Sequence, residues 1–203
     1  NILYHYSSLE VLQKILENGD ENHITLWATQ IKYLNDIKEY LIAIKELQKR
    51  LIDFDENLPK EQSKNFQKLL NDKRMRLFEW EEIEDDYPFI ISFSKDGDNL
   101  PMWNQYADNC KGVAIGFDTQ ILEKLTETCS VLKLKDCVYD LNSLNDYLDQ
   151  NVKVIHKSLE LTSCSTSLPL NYDSKILNEF HKHLSILKHS TFFYEKETRL
   201  IYS

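Results

Sequence analysis

Short segments rich in β-forming residues stand near both ends and in the middle of this 203-residue chain, and stretches with helical periodicity separate them. Strands are predicted at 2–7 (ILYHYS), 24–29 (ITLWAT), 89–94 (FIISFS), 112–118 (GVAIGFD), 130–139 (SVLKLKDCVY) and 194–203 (YEKETRLIYS). This order of strands, a helical block, more strands, helices and a final strand indicates one α+β domain spanning 1–203.

The helices are predicted from capping residues and apolar stripes. Ser7 and Glu10 have capping-box spacing and open a helix that Gly19 closes. A helical insertion is expected at about 37–83, and the segment LPMWNQYA is expected to form a short helix. Two further amphipathic helices are predicted, with apolar positions from Leu144 to Leu159 and from Ile176 to Leu187.

Composition and charge exclude several classes of protein. A hydrophobic content of 42% with 28% charged residues is that of a globular chain, so disorder is a poor interpretation of the whole. The formal net charge is −9 and the basic residues are scattered. A protein that follows duplex nucleic acid needs clustered Lys and Arg, so extended duplex binding is disfavoured.

The four cysteines form no CxxC pair, and no His lies at metal-ligand spacing, so no metal site is expected. Reduced thiols fit a cytoplasmic protein. No stretch approaches eighteen apolar residues, so no membrane span is predicted. The chain begins without Met and is expected to be an excised domain, so the absence of a visible signal peptide carries little weight.

The last predicted strand carries two glutamates. Residues two apart in a strand point to the same side, so Glu195, Glu197 and Arg199 are expected to share one face. One interpretation is a solvated edge strand in which Arg199 pairs with Glu197. The other is that the polar face of this strand forms the wall of a cleft, since its tail, LIY, is apolar.

Other polar or aromatic residues in predicted strands and helices also have two interpretations. His5 lies in a short aromatic strand, and Ser92 and Ser94 share a strand face. These three side chains either satisfy hydrogen bonds inside the fold or line a polar groove. Trp103 and Tyr106, on the short helix, are either core aromatics or a platform for a flat ring.

Several segments together resemble a widespread bacterial family that is catalogued as a domain of unknown function. They are LYHYSSLE, IKYLND, ISFSKDGDNLPMWNQYADNCKGVAIGFD and FFYEKETRLI. That family looks like a remote relative of the ADP-ribosyltransferase superfamily. The superfamily uses an Arg or His on its first strand, a Ser-x-Ser or Tyr element on a middle strand and a Glu, often within Glu-x-Glu, on a late strand. His5, Ser92–Ser94 and Glu195–Glu197 match that order.

The resemblance implies a split antiparallel β core with flanking helices, and NAD as a substrate. It implies that Glu197 stabilises the ribose cation formed when nicotinamide leaves, and that Glu195 orients or activates the acceptor. His5, counted with the glutamates as a catalytic residue, would hold the adenosine-side ribose or the diphosphate of NAD, with Tyr6 beside it. Ser92 and Ser94 would support the carboxylate or contact the nicotinamide ribose. The aromatic that stacks on nicotinamide would be Tyr33, Trp103 or Tyr106. The chain departs from the superfamily's His-Tyr-Glu pattern, because no single middle-strand Tyr stands out.

Three functions compete at this stage. The first is a NAD-consuming ADP-ribosyltransferase-like enzyme of the kind used by bacterial toxins and anti-phage effectors. The alternative is an inactive module of the same fold that binds a nucleotide or a protein partner. The third is a hydrolase with paired carboxylates, which would need a distant partner such as Asp96 or Asp118, because Glu195 and Glu197 cannot flank a bond from opposite sides.

Overall fold

A computed structural model describes residues 1–20, 23–34, 46, 49–58, 88–139, 145–146, 149–150, 152–153, 157 and 185–202. The described residues contain a six-stranded sheet whose pairings are all antiparallel. The strands are β1 (Ile2–Ser7), β2 (Thr29–Gln30), β3 (Phe89–Ser94), β4 (Val113–Asp118), β5 (Leu132–Asp136) and β6 (Glu197–Tyr202). Together with the helices, this sheet confirms the α+β class.

The strand order is β4-β1-β3-β6-β5, and β2 pairs with β3 outside this path. The last strand, β6, therefore lies between β3 and β5 and is not an edge strand. The interpretation of this segment as a solvated edge strand does not hold, because β6 has a partner on both sides and every residue in it except Tyr202 is buried. The pairing of Arg199 with Glu197 that this interpretation included is present.

Three helices with capped N-termini flank the sheet: α1 (Leu9–Glu17), α2 (Leu100–Tyr106) and α3 (Thr119–Thr128). Helix α1 starts one residue later than predicted, because Ser8 rather than Ser7 accepts a hydrogen bond from the backbone N–H of Val11. Helix α2 is where the sequence predicts it, and Asn99 caps it. Sequence reasoning missed α3, which Asp118 caps through the N–H of Gln120.

The two faces of the sheet carry separate clusters of buried side chains. On one face, Leu122 of α3 packs against Leu3, Phe93 and Leu200. On the other face, Met102 of α2 packs in a cluster with Tyr6 and Ala107. Because side chains alternate along a strand, Ser92, Ser94, Glu197 and Arg199 project to the α2 side, opposite Phe93 and Leu200.

Several predicted elements differ from the structure or lie outside its described part. Only Thr29–Gln30 of the strand predicted at 24–29 pairs with a neighbour, and the strand predicted at 130–139 is shortened to β5. Of the insertion at about 37–83, only 46 and 49–58 are described, and 49–56 are helical. The helices predicted around Leu144–Leu159 and Ile176–Leu187 lie mostly outside the described residues.

Candidate functional site

A pocket of about 120 Å³ lies where β1 and β3 separate. These two strands meet at a single pair, Tyr4 with Ser94, whereas six pairs join β1 to β4 and six join β3 to β6. Helix α2 and the segment 188–195 complete the pocket wall. The lining residues are Tyr4, His5, Tyr6, Leu34, Ser92, Phe93, Ser94, Met102, Tyr106, Lys188, Glu195, Glu197 and Arg199.

His5 bridges the gap between β1 and β3. Its Nδ1 lies 3.0 Å from the backbone carbonyl oxygen of Ser92, and its ring meets Phe93 edge-on at 6.0 Å. A carbonyl oxygen can only accept, so Nδ1 carries the proton, and in the neutral ring Nε2 is left as an acceptor. His5 thus replaces a missing backbone contact between the two strands while it lines the pocket.

The two serines of β3 have different surroundings. Ser94 is fully buried, and its hydroxyl donates to the backbone carbonyl of Glu195 at 2.7 Å and accepts from the N–H of Asp96 at 3.0 Å. It therefore holds the backbone beside the glutamates in place. Ser92 is half-buried and lines the pocket.

Glu195 and Glu197 converge on the pocket, but not in the way that the strand pattern predicts. A 3₁₀ helix (Ser190–Glu195) ends at Glu195, Lys196 has a left-handed conformation with φ 45°, and β6 begins only at Glu197. Glu195 therefore does not belong to the strand, and the prediction of a common strand face holds only for Glu197 and Arg199. The two carboxylates are nevertheless brought to one point, because both contact the ammonium group of Lys188.

The centre of the site is a buried cluster of four charged side chains, Lys188, Glu195, Glu197 and Arg199. Lys188 Nζ donates to Glu195 and, at 2.6 Å, to Glu197 Oε2. Arg199 Nε donates to Glu197 Oε1 at 2.7 Å and Nη2 to Oε2 at 3.2 Å, while Nη1 donates to the carbonyl of Ser185. Two buried cations thus face two buried anions at the wall of the pocket.

The two glutamates differ in their electrostatics. Burial alone raises the pKa of Glu197, but Arg199 and Lys188 more than reverse this effect and lower it to about 2. Burial also raises the pKa of Glu195, and there the single contact with Lys188 only partly offsets it. Glu195 Oε1 also accepts a hydrogen bond from the hydroxyl of Tyr106 at 3.1 Å. The pKa of Tyr106 is raised, mainly by burial and secondly by the charge of this carboxylate.

Of the aromatic residues proposed for the site, the pocket gathers Tyr6 and Tyr106. The Tyr6 hydroxyl donates to the carbonyl of Asp96 at 2.8 Å and accepts from the N–H of Asn99 at 3.1 Å. Trp103 packs edge-on against Tyr6 at 5.1 Å but does not line the pocket. Tyr33 lies outside it with 71% of its surface exposed.

The carboxylates that a paired-carboxylate hydrolase would need lie elsewhere. Asp96 pairs with Lys196 at 3.1 Å, and Asp118 caps α3. Neither side chain lines the pocket.

Sequence reasoning missed Lys188. The stretch EKETR carries two cations, Lys196 and Arg199, for its two glutamates, so its charge balance does not signal a third cation. In the structure Lys196 pairs with Asp96, and Lys188, which follows buried apolar residues in the segment SILKH (185–189), contacts the glutamates.

No helix in the described part of the chain has the length and hydrophobicity needed to cross a membrane. The same residues contain no group of three or more His, Cys, Asp or Glu arranged to hold a metal ion. Cys110, Cys129 and Cys137 form no disulfide among the described residues.

No curated protein and no solved structure matches the chain. A known protein family matches part of it, just under half of the sequence. The matched part includes Tyr106, Lys188, Glu195, Glu197 and Arg199 but not His5 or the β3 serines. Over residues 102–200 the chain is similar to a family described as "Protein of unknown function (DUF2971)".

Proposed function

We propose that the pocket binds the nicotinamide end of NAD and that the protein cleaves the nicotinamide–ribose bond, transferring ADP-ribose to an acceptor. The observation that carries this proposal is the convergence of His5 from β1, Ser92 and Ser94 from β3 and Glu197 from β6 on one pocket. These residues come from three distant segments and match the order of the three ADP-ribosyltransferase motifs.

The electrostatics of Glu197 suit this chemistry. When the C–N bond breaks, its electron pair leaves with nicotinamide and the ribose develops positive charge, as in glycoside hydrolysis. A carboxylate whose pKa is about 2 stays ionised at any physiological pH and can stabilise that charge. Glu195, whose pKa burial raises, is better suited to take the proton that the acceptor loses.

The size of the pocket limits which part of the substrate it holds. Its volume of about 120 Å³ is close to that of a ~150 Å³ cavity that accepts one benzene ring. In this proposal the pocket holds one aromatic ring, that of nicotinamide, and the adenosine end of NAD extends outside it. Tyr106 and Tyr6 are the lining aromatics available for ring contacts.

A second candidate is a module that binds the nucleotide without turnover. One observation favours it: both oxygens of Glu197 already accept from Arg199 or Lys188. A carboxylate bound in this way has less capacity to bond a ribose hydroxyl. This candidate predicts stoichiometric NAD binding and no release of nicotinamide.

Calorimetric titration of NAD, with nicotinamide release followed in the same samples, tests both candidates. Glu197→Gln is expected to keep NAD binding and lose release. The matched control is Glu10→Gln on the exposed face of α1, which is expected to change neither. Ser92→Ala, which removes one hydroxyl from the pocket wall and leaves the charges in place, is expected to weaken NAD binding.

The outcomes separate the alternatives. Binding by the parent without release over many hours would favour the inactive module. Undiminished release in folded Glu197→Gln would remove Glu197 from the reaction. If the folded parent does not bind NAD at all, the proposal is wrong. A positive result would make the chain a candidate bacterial toxin or anti-phage effector, because NAD consumption is the activity that such proteins use.

A further inference from the structure

Backbone hydrogen bonds hold Lys188 in place independently of the contacts that its side chain makes. Its N–H donates to the carbonyl of Val138 at 3.0 Å, and the N–H of Val138 donates to the carbonyl of Ile186 at 2.8 Å. Leu187 and Val138 form a parallel bridge. Lys188 is thus fixed beside the end of β5, and its side chain is only 3% exposed.

Buried lysines are rare because an ammonium ion loses its hydration, and this loss is offset only by close anionic partners. Lys188 has two, Glu195 and Glu197, and its Nζ also lies 5.2 Å from the centre of the Phe192 ring. Without this cation the two carboxylates would face each other directly and repel.

We propose that Lys188 is a positioning residue of this pocket: its ammonium group holds Glu195 ionised and aligned beside Glu197. Glu197 has Arg199 as a second cationic partner, whereas Lys188 is the cation that contacts Glu195. The loss of Lys188 therefore acts mainly on Glu195. Its consequence for catalysis rests on the proposed NAD-cleaving function, but its effect on Glu195 does not.

The other titratable groups around Glu195 cannot replace the lysine. Tyr106 from α2 donates a neutral hydrogen bond, and Glu197 from β6 adds like charge. Tyr194, the preceding residue, has a neutral phenol side chain. Arg199 of β6 and His5 of β1 also line the pocket, but Arg199 bonds Glu197, and His5 bonds the backbone carbonyl of Ser92. Lys188 thus sets the pH range in which Glu195 can accept a proton.

The experiment measures the titration of Glu195 directly, by NMR of protein labelled with ¹³C at the glutamate carboxyl carbons. The Glu195 signal is assigned by its loss in Glu195→Gln. In Lys188→Met the pKa of Glu195 is expected to rise by about 1–3 pH units, because one opposite charge in contact is removed. Lys188→Arg, which keeps the charge, is the matched control and is expected to stay closer to the parent.

Lys188→Met leaves a buried carboxylate without its cation, so its folding is checked by near-UV circular dichroism. If it does not fold, Lys188→Met/Glu195→Gln is expected to fold, since the unpaired charge is gone. Failure of this double variant while Glu195→Gln alone folds would overturn the proposal. An unchanged Glu195 titration in folded Lys188→Met would overturn it as well.

Activity gives a separate readout. In Lys188→Met the acid limb of the pH profile for ADP-ribosyl transfer is expected to move to higher pH, and in Lys188→Arg it is expected to stay closer to that of the parent. A parent that never releases nicotinamide rejects the proposed function, and the Glu195 titration still decides the role of Lys188. Conversely, an active parent whose Glu195 titrates identically with and without Lys188 rejects only the positioning role.

Discussion

The buried pair of Arg199 with Glu197 gives the sharpest stability prediction. Both side chains are about 4% exposed, and Arg199 donates twice to Glu197 and once to the carbonyl of Ser185. Arg199→Met keeps the apolar stem but removes all of these donors. Breaking a buried ion pair from one side costs about 3–5 kcal/mol of unfolding free energy, because an uncompensated charge remains in the interior.

The pKa of Glu197 shows that this cost depends on pH. It falls from 4.5 to about 2 in the folded protein, because Arg199 and Lys188 together outweigh the desolvation of the carboxylate. At about 1.4 kcal/mol for each pKa unit, this net shift stabilises the folded protein by about 3 kcal/mol when Glu197 is ionised. Because the folded pKa lies below the unfolded one, this contribution is complete above pH 4.5 and is lost as the pH falls toward 2.

Urea unfolding followed by circular dichroism measures the change at pH 7 and again near pH 3. At pH 7 Arg199→Met is expected to lower the unfolding free energy by about 3 kcal/mol or more, and at pH 3 by less. The control is Lys14→Met, which breaks the exposed pair with Glu10 and is expected to leave the unfolding free energy nearly unchanged at both pH values. A cost below about 1 kcal/mol for Arg199→Met, or one that does not change with pH, would refute this reasoning.

Two further predictions concern the backbone and use the same unfolding assay. Gly112→Ala is expected to lower the unfolding free energy by about 1–3 kcal/mol, because a Cβ there would lie 2.1 Å from the carbonyl oxygen of Ser7. Gly116→Ala is the control and is expected to lower it less, because the nearest atom is 3.0 Å away on the flexible Ile2 side chain. Cys110→Gly is expected to stabilise the protein by about 1 kcal/mol, because Cys110 is exposed and has a left-handed φ of 67°. Cys129→Gly, at φ −124°, is the control and is expected to destabilise.

The strands that the sequence predicts best are those with continuous pairing. Segments β1, β3 and β4 are rich in β-forming residues, and their predicted bounds agree with the structure to within one residue. The segment 24–29 has an equally β-rich composition, yet within it only Thr29 pairs with β3. Strand propensity describes fitness for a paired, half-buried surface, so composition alone could not reveal which segment lacks a partner.

The local geometry of the site was less predictable. A lysine in the left-handed region has no sequence signature, so the turn at Lys196 that ends the 3₁₀ helix and starts β6 could not be anticipated. The convergence of Glu195 and Glu197 was predicted, but for a reason that applies only to regular strands. Helix α3 could have been predicted from the sequence, because Asp118 is a typical N-cap residue and Leu122 and Leu125 follow it at helical spacing.

The arrangement of charges bears on whether this pocket has a function at all. An ion-pair network in a sheet interior is weak evidence for a stabilising role, because apolar side chains of similar volume often stabilise a core equally well or better. Here Lys188 and Arg199 lie against two carboxylates at the wall of a pocket, at the point where β1 and β3 separate. Stability would be served better by closing that gap with apolar residues. A cluster that keeps two anions fixed at an open pocket is instead what the proposed chemistry requires. Among the described residues Glu195 contacts one cation and Glu197 two, so under that proposal Glu195 is the carboxylate expected to change its charge.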